Sequence, residues 1–77
     1  MNIEAYKQIA WENATPIDGE DPNDYRRDFK GIKIYRESYG KNSYMGWELG
    51  KRDGKLIAIE KMGIFEEEID EILKWEL

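Results

Sequence analysis

The sequence contains neither cysteine nor histidine. Without cysteine there are no disulfides and no thiolate metal ligands. Without either residue a structural zinc has no ordinary ligand set. Imidazole is also missing as a general base, the side chain most often used for proton transfer near neutral pH. Only two prolines occur. No apolar run approaches the ~20 residues of a membrane-spanning helix. The first residues, Met1, Asn2, Ile3 and Glu4, show neither a basic stretch nor an apolar stretch of the kind that opens a signal peptide. A soluble cytoplasmic protein is therefore the expectation.

What is present is aromatic and charged. Three Trp, five Tyr and two Phe occur in 77 residues. That length makes one domain, residues 1–77, and a chain of this size buries only about 60% of its unfolded surface. Rings that bury about 150–250 Å² each are the obvious supplement to so small a core. Self-association is another: a two-fold dimer would bury Trp75 or the third predicted strand if either lies exposed.

The net charge of −5 is unevenly spread. Residues 1–23 hold one Lys against five acids, residues 24–61 ten Lys or Arg against six acids, and residues 62–77 one Lys against six acids. A basic band thus lies between two acidic ends. The overall acidity opposes non-specific duplex binding, which needs a net positive face.

Periodicity gives a coarse fold. Asn2 caps a first helix with Ile3, Tyr6, Ala10 and Asn13 on one stripe and Ile9 beside it; Pro16 ends it. Residues 17–23 read as a loop, and the turn-forming residues 21–24 start a short helical turn through Tyr25. Residues 30–35 and 44–49 alternate as half-buried strands. Asp53-Gly54 suits a type I′ hairpin turn into a third strand, residues 55–61. A closing helix over residues 64–77 places Phe65, Ile69, Ile72, Leu73 and Leu77 on one stripe, with Glu66, Glu67 and Glu68 at its positive end. The class is α+β: an N-terminal helix, a small three-stranded antiparallel sheet and a C-terminal helix, in the order α-β-β-β-α.

Several fragments resemble a known family. Trp11-Glu12-Asn13-Ala14 with Gly19-Glu20-Asp21-Pro22, then Tyr25-Arg26-Arg27-Asp28, Gly31-Ile32-Lys33-Ile34 and Gly46-Trp47-Glu48-Leu49 follow the order found in one subgroup of HNH nucleases of the ββα-metal class. The resemblance covers roughly residues 11–49. It implies that the hairpin and closing helix correspond to a ββα unit. In that family an Asp-His pair follows the Gly-Trp-Glu run; here Gly50-Lys51 stands in its place. The downstream Asn and His of the family are also missing. The resemblance therefore implies a scaffold that has lost its catalytic and metal-binding groups, with no cofactor.

Two surfaces are candidates for binding. The exposed side of the closing helix carries Glu67, Asp70 and Glu71, with Trp75 off the apolar stripe; such a face fits a protein partner with a basic surface, and Trp is common among interface hot spots. A small phage or mobile-element protein that inhibits a host nucleic-acid-handling enzyme, as anti-CRISPR proteins do, fits this pattern. The alternative is a nucleic-acid-binding accessory protein. Arg26, Arg27, Lys30, Lys33 and Arg36 interleave with Tyr25, Phe29 and Tyr35, the ingredients of a single-strand binding surface. A residual metal nuclease using Lys51 as base, beside Asp53, ranks last. Should the acidic face fail, Tyr35, Tyr39 and Tyr44 mark the sheet as the next surface to test.

Overall fold

The computed structural model describes residues 2–61 and the short strand Glu71–Ile72. Helix α1, Ile3–Asn13, begins where the sequence predicts. The Asn2 side chain accepts hydrogen bonds from the backbone N–H of Glu4 at 3.1 Å and Ala5 at 3.3 Å. Such a cap satisfies donors that the first turn leaves open. The buried face differs from the predicted stripe. Ala10, Trp11 and Ala14 are buried, Ile3 and Tyr6 only partly so, while Ile9 is 45% exposed. Trp11 sets this rotation: its ring is the largest apolar surface on the helix, and its indole N–H donates to the Pro22 carbonyl at 2.8 Å.

The predicted strands fall into two sheets rather than one. Strands β1 (Thr15–Pro16), β2 (Tyr25–Arg27) and β3 (Lys33–Tyr35) form an antiparallel sheet in that order. Tyr25 is therefore in a strand and not in a helical turn, although the Asp24 and Tyr25 amides do close a turn onto the Asp21 carbonyl. The cause of the different pairing is Asp28. Its backbone N–H donates to the Ile32 carbonyl, and its carboxylate Oδ1 accepts from the amides of Lys30 and Ile32, each at 2.9 Å. Gly31 takes a positive φ of 86° within this turn. Residues that read as the opening of a strand thus make a hairpin bend, and β3 returns onto β2.

After a short 3-10 turn, Arg36–Ser38, the chain enters β4 (Trp47–Arg52), which pairs antiparallel with β5 (Lys55–Glu60). The strand starts three residues later than predicted. Met45 adopts a left-handed φ of 68°, and the Gly46 amide donates to the Ser43 carbonyl. A Cβ at Gly46 would lie 2.0 Å from the Lys41 carbonyl oxygen, so only glycine fits this approach. The Asp53-Gly54 turn is as expected, with φ of 52° and 76°.

Glu71–Ile72 forms β6, antiparallel to the other edge of β4, with Gly50 opposite Ile72 and Lys51 opposite Glu71. At these two residues a strand replaces the predicted helix, and backbone pairing with β4 is the reason. The rest of the predicted closing helix, and its apolar stripe, lies outside the described residues. The α+β class stands. Among the described residues no helix is long and apolar enough to cross a membrane.

The β4–β5 hairpin has two different faces. Opposed residues of an antiparallel pair share a face. Trp47, Leu49, Ala58 and Leu56 face α1 and join Ala10, Trp11, Ala14 and Ile34 in the main core. The Trp11 and Trp47 ring centroids are 5.4 Å apart, and Tyr39 meets Trp47 edge-on at 5.0 Å. The Trp47 indole N–H donates to the Arg36 carbonyl. On the opposite face Ile57 and Ile59 pack with Phe29.

The outer edge of β5 is also occupied. The Asn13 side chain donates to the Leu56 carbonyl at 2.7 Å, and the Glu60 amide donates to Asp28 Oδ2 at 2.8 Å. Side chains that take up edge groups blunt a strand against pairing with another chain. The third predicted strand is thus buried, and the dimer expected from its exposure loses that premise; Trp75 lies outside the described residues.

Candidate binding surfaces

Three of the four predicted contact residues on the acidic face fall beyond the described part of the molecule. Glu67, Asp70 and Trp75 lie outside it, and of Glu71 only the strand pairing is described. The basic band, by contrast, is fully visible, and the fold divides it. Arg26 sits opposite Ile34 on the inner side of the β1–β2–β3 sheet. Its guanidinium donates to the carbonyls of Pro22 at 2.9 Å, Ala14 at 3.1 Å and Glu12 at 3.4 Å, and lies 5.9 Å from the Trp11 ring centroid. Arg26 therefore ties the end of α1 to the loop before β2. Arg36 donates to the Gln8 side-chain oxygen on α1. Lys30 extends from the Asp28 turn, with its ammonium 6.0 Å from the Phe29 ring.

The outer side of the same sheet carries the remaining residues. Tyr25 opposes Tyr35, and Arg27 opposes Lys33. The two tyrosine rings are 5.1 Å apart at 31°. Lys33 stands 4.6 Å above the Tyr25 ring and bonds Glu20 at 2.7 Å. Arg27 donates to the Gly31 carbonyl. The structure thus brings Tyr25, Tyr35, Arg27 and Lys33 together and takes Arg26 and Arg36 away to brace the chain.

At the position of the nuclease Asp-His pair, β4 presents Gly50 and Lys51. A Cβ at Gly50 would stand 1.8 Å from Ile59 Cδ1. The Ile59 side chain fills the space beside Gly50. Lys51 is opposed by Leu56 on the α1 side of the hairpin. Among the described residues no group of three acidic, His or Cys side chains is placed to hold a metal ion.

Two clefts are present that the sequence reading did not single out. One, of about 490 Å³, opens between α1 and the residues around Tyr39, and is lined by Glu4, Lys7, Gln8, Arg36, Glu37 and Tyr39 among others. Its charges are internally matched: Lys7 pairs with Glu4 at 3.2 Å and lies 4.5 Å over the Tyr39 ring. Burial, and then the carboxylates of Glu48 and Glu4, hold the Tyr39 phenol above its ordinary value of 10.0. The other, of about 430 Å³, lies beside the hairpin turn and is lined by Asn13, Phe29, Arg52, Asp53, Lys55 and Ile57. Half of this second cleft was readable: a two-residue turn at Asp53-Gly54 makes Arg52 and Lys55 direct partners. Nothing local to Phe29 announces that it joins them.

The loop between the two sheets carries the most exposed large apolar side chain described, Tyr44 at 74%. The loop is braced at both ends. Gly40 N–H donates to the Trp47 carbonyl at 2.7 Å, Tyr35 N–H to Met45 at 3.0 Å, and Lys61 N–H to Gly46 at 3.0 Å.

No family model, curated protein or solved structure matches this chain.

Proposed function

We propose that this protein is a non-catalytic protein-binding module on an HNH-like scaffold whose catalytic pair has been lost. Its partner on this reading is a nucleic-acid-handling enzyme with a basic surface, bound and inhibited in the manner of a small phage or mobile-element protein of the anti-CRISPR type. The observation that carries the reading is the Gly50-Lys51 pair on β4: where the nuclease chemistry would need a carboxylate stands a glycine, and the Ile59 side chain fills the space beside it. The commitment of Arg26 and Arg36 to the chain's own oxygens supports it, because those cations are spent on the fold. The acidic segment 62–77 and the exposed, braced Tyr44 are the contact features that remain.

Capture from lysate of the source cell should yield a specific nucleic-acid-handling protein. Glu67→Lys with Asp70→Lys and Glu71→Lys should slow its association, with a loss that high salt reproduces. Metal-dependent cleavage of plasmid or single-stranded DNA with Mg²⁺, Mn²⁺, Ni²⁺ or Zn²⁺, abolished in Lys51→Ala, would sink the non-catalytic reading.

A second reading draws on the outer face of the β1–β2–β3 sheet. Paired Tyr25 and Tyr35 with Lys33 and Arg27 beside them resemble a stacking platform for single-stranded nucleic acid. Submicromolar binding that falls steeply with salt, and falls again in Lys33→Ala with Arg27→Ala, would put this reading first.

A further inference from the structure

The cleft beside the hairpin turn lies on the face of β4–β5 turned away from α1. Its floor is apolar: Ile57 is buried, and Phe29 packs on Ile57 and Ile59. Its rim is cationic. Arg52 and Lys55 are both exposed and oppose one another as the pair that closes the turn. The Arg52 guanidinium lies 5.4 Å from the Phe29 ring centroid, and exposed Lys30 lies 6.0 Å from it. Asn13 forms a fixed wall, since its amide nitrogen is held by the Leu56 carbonyl at 2.7 Å.

We propose that this cleft binds an acidic peptide segment of a partner protein. One apolar side chain of the segment sits on Phe29 and Ile57, and its flanking carboxylates meet Arg52 and Lys55. The inference rests on the reading of the chain as a protein-binding module and names a contact separate from its acidic C-terminal segment. A volume of about 430 Å³ has room for one large side chain. The planar fork of Arg52 matches a carboxylate in two parallel hydrogen bonds. The apolar floor favours peptide over nucleic acid, because it seats an uncharged side chain and offers nothing to a phosphate backbone.

The test uses the full chain and fluorescence anisotropy with three labelled probes: a short Glu/Ser peptide with one central Phe, the same peptide with that Phe replaced by Ser, and a short oligothymidylate. The Phe peptide should bind about tenfold more tightly than the Ser peptide, and more tightly than the oligonucleotide. Arg52→Glu combined with Lys55→Glu should abolish the binding while leaving the circular dichroism and thermal midpoint unchanged, as both side chains are exposed. Equal affinity for the two peptides, preference for the oligonucleotide, or indifference to the double reversal would overturn the proposal. A partner captured from lysate whose binding survives the double reversal overturns the cleft alone and leaves the module reading in place.

Discussion

The two faces of the β4–β5 hairpin are drawn from the same twelve alternating positions, yet they are built for different ends. Toward α1, Trp47, Leu49 and Ala58 are each about 1% exposed and are closed over by Trp11, Ala10 and Ala14. Away from α1, the same two strands offer Ile57 and Ile59 with Glu48 beside them, a glycine whose open side the Ile59 side chain fills, and then Arg52 and Lys55 at the turn. The first face is closed to water at Trp47, Leu49 and Ala58 and loosens toward the turn, where Lys51 and Leu56 are only partly buried. The second is apolar at one end and cationic at the other, with Phe29 at the junction. Because successive side chains of a strand point to opposite sides, one hairpin can place folding energy and recognition back to back with little interference.

Breaking the first face should have the largest effect. Trp47→Ala removes the ring that Trp11 and Tyr39 pack against and should cost about 3–5 kcal/mol, a large share of the stability of a small domain. Urea unfolding followed by circular dichroism measures it, and a loss below 1 kcal/mol would mean that Trp47 is not central to the core. Next comes the glycine of the second face. Gly50→Val drives two methyl groups into Ile59 and should destabilise by about 1–3 kcal/mol or more; adding Ile59→Ala should return part of that loss, and no recovery in the double variant would refute the close approach.

Tyr39, at the border of the first face, should give a pH effect. Its phenol is held above 10.0 by burial and then by Glu48 and Glu4. The folded state then keeps a proton that the unfolded state releases. Stability is fully present below the unfolded value and falls as pH rises above it through the folded value. Chemical unfolding at a series of alkaline pH values should show a decline that is reduced in Tyr39→Phe; identical profiles for the two proteins would contradict this. The smallest effects belong to the exposed groups. Arg52→Glu with Lys55→Glu, and separately Tyr44→Ala, should each change stability by no more than about 0.5 kcal/mol, and a larger thermal shift in either would show that these side chains support the fold.

Features set by neighbours in the chain were legible in the sequence. Asn2 as a cap, Asp53-Gly54 as a tight turn and the α+β class all follow from residues a few positions apart. Features set by distant contacts were not. The strand pattern of residues 30–35 was visible, but its partner was not, because the Asp28 carboxylate decides the pairing by gathering amides from its own turn. Tyr44 and Met45 continue an alternating pattern, yet the close approach of Gly46 to Lys41 bends the chain out of the strand there. The basic band looked continuous as a string of letters. In space Arg26 and Arg36 turn inward to carbonyl and amide oxygens, and only Arg27 and Lys33 share an outer face with the tyrosines. The cleft at the hairpin was half visible, through the Arg52–Lys55 pairing, and completed only by Phe29 arriving from the β2–β3 turn.

Asp28 has a consequence for how the molecule opens. Its single carboxylate holds the amides of Lys30 and Ile32 in the β2–β3 turn and the amide of Glu60 in β5, and it is only 4% exposed. Among the described residues the two sheets share little else in backbone pairing, so this side chain is the rivet between them. Hydrogen exchange at those three amides should therefore proceed at one common rate, set by an opening that frees both sheets together. In Asp28→Asn the side chain keeps its oxygen on the amides of Lys30 and Ile32 and presents an N–H to the Glu60 amide, a mismatch of about 1–3 kcal/mol, and the three rates should separate into a faster Glu60 and a slower pair. The two sheets would then breathe independently.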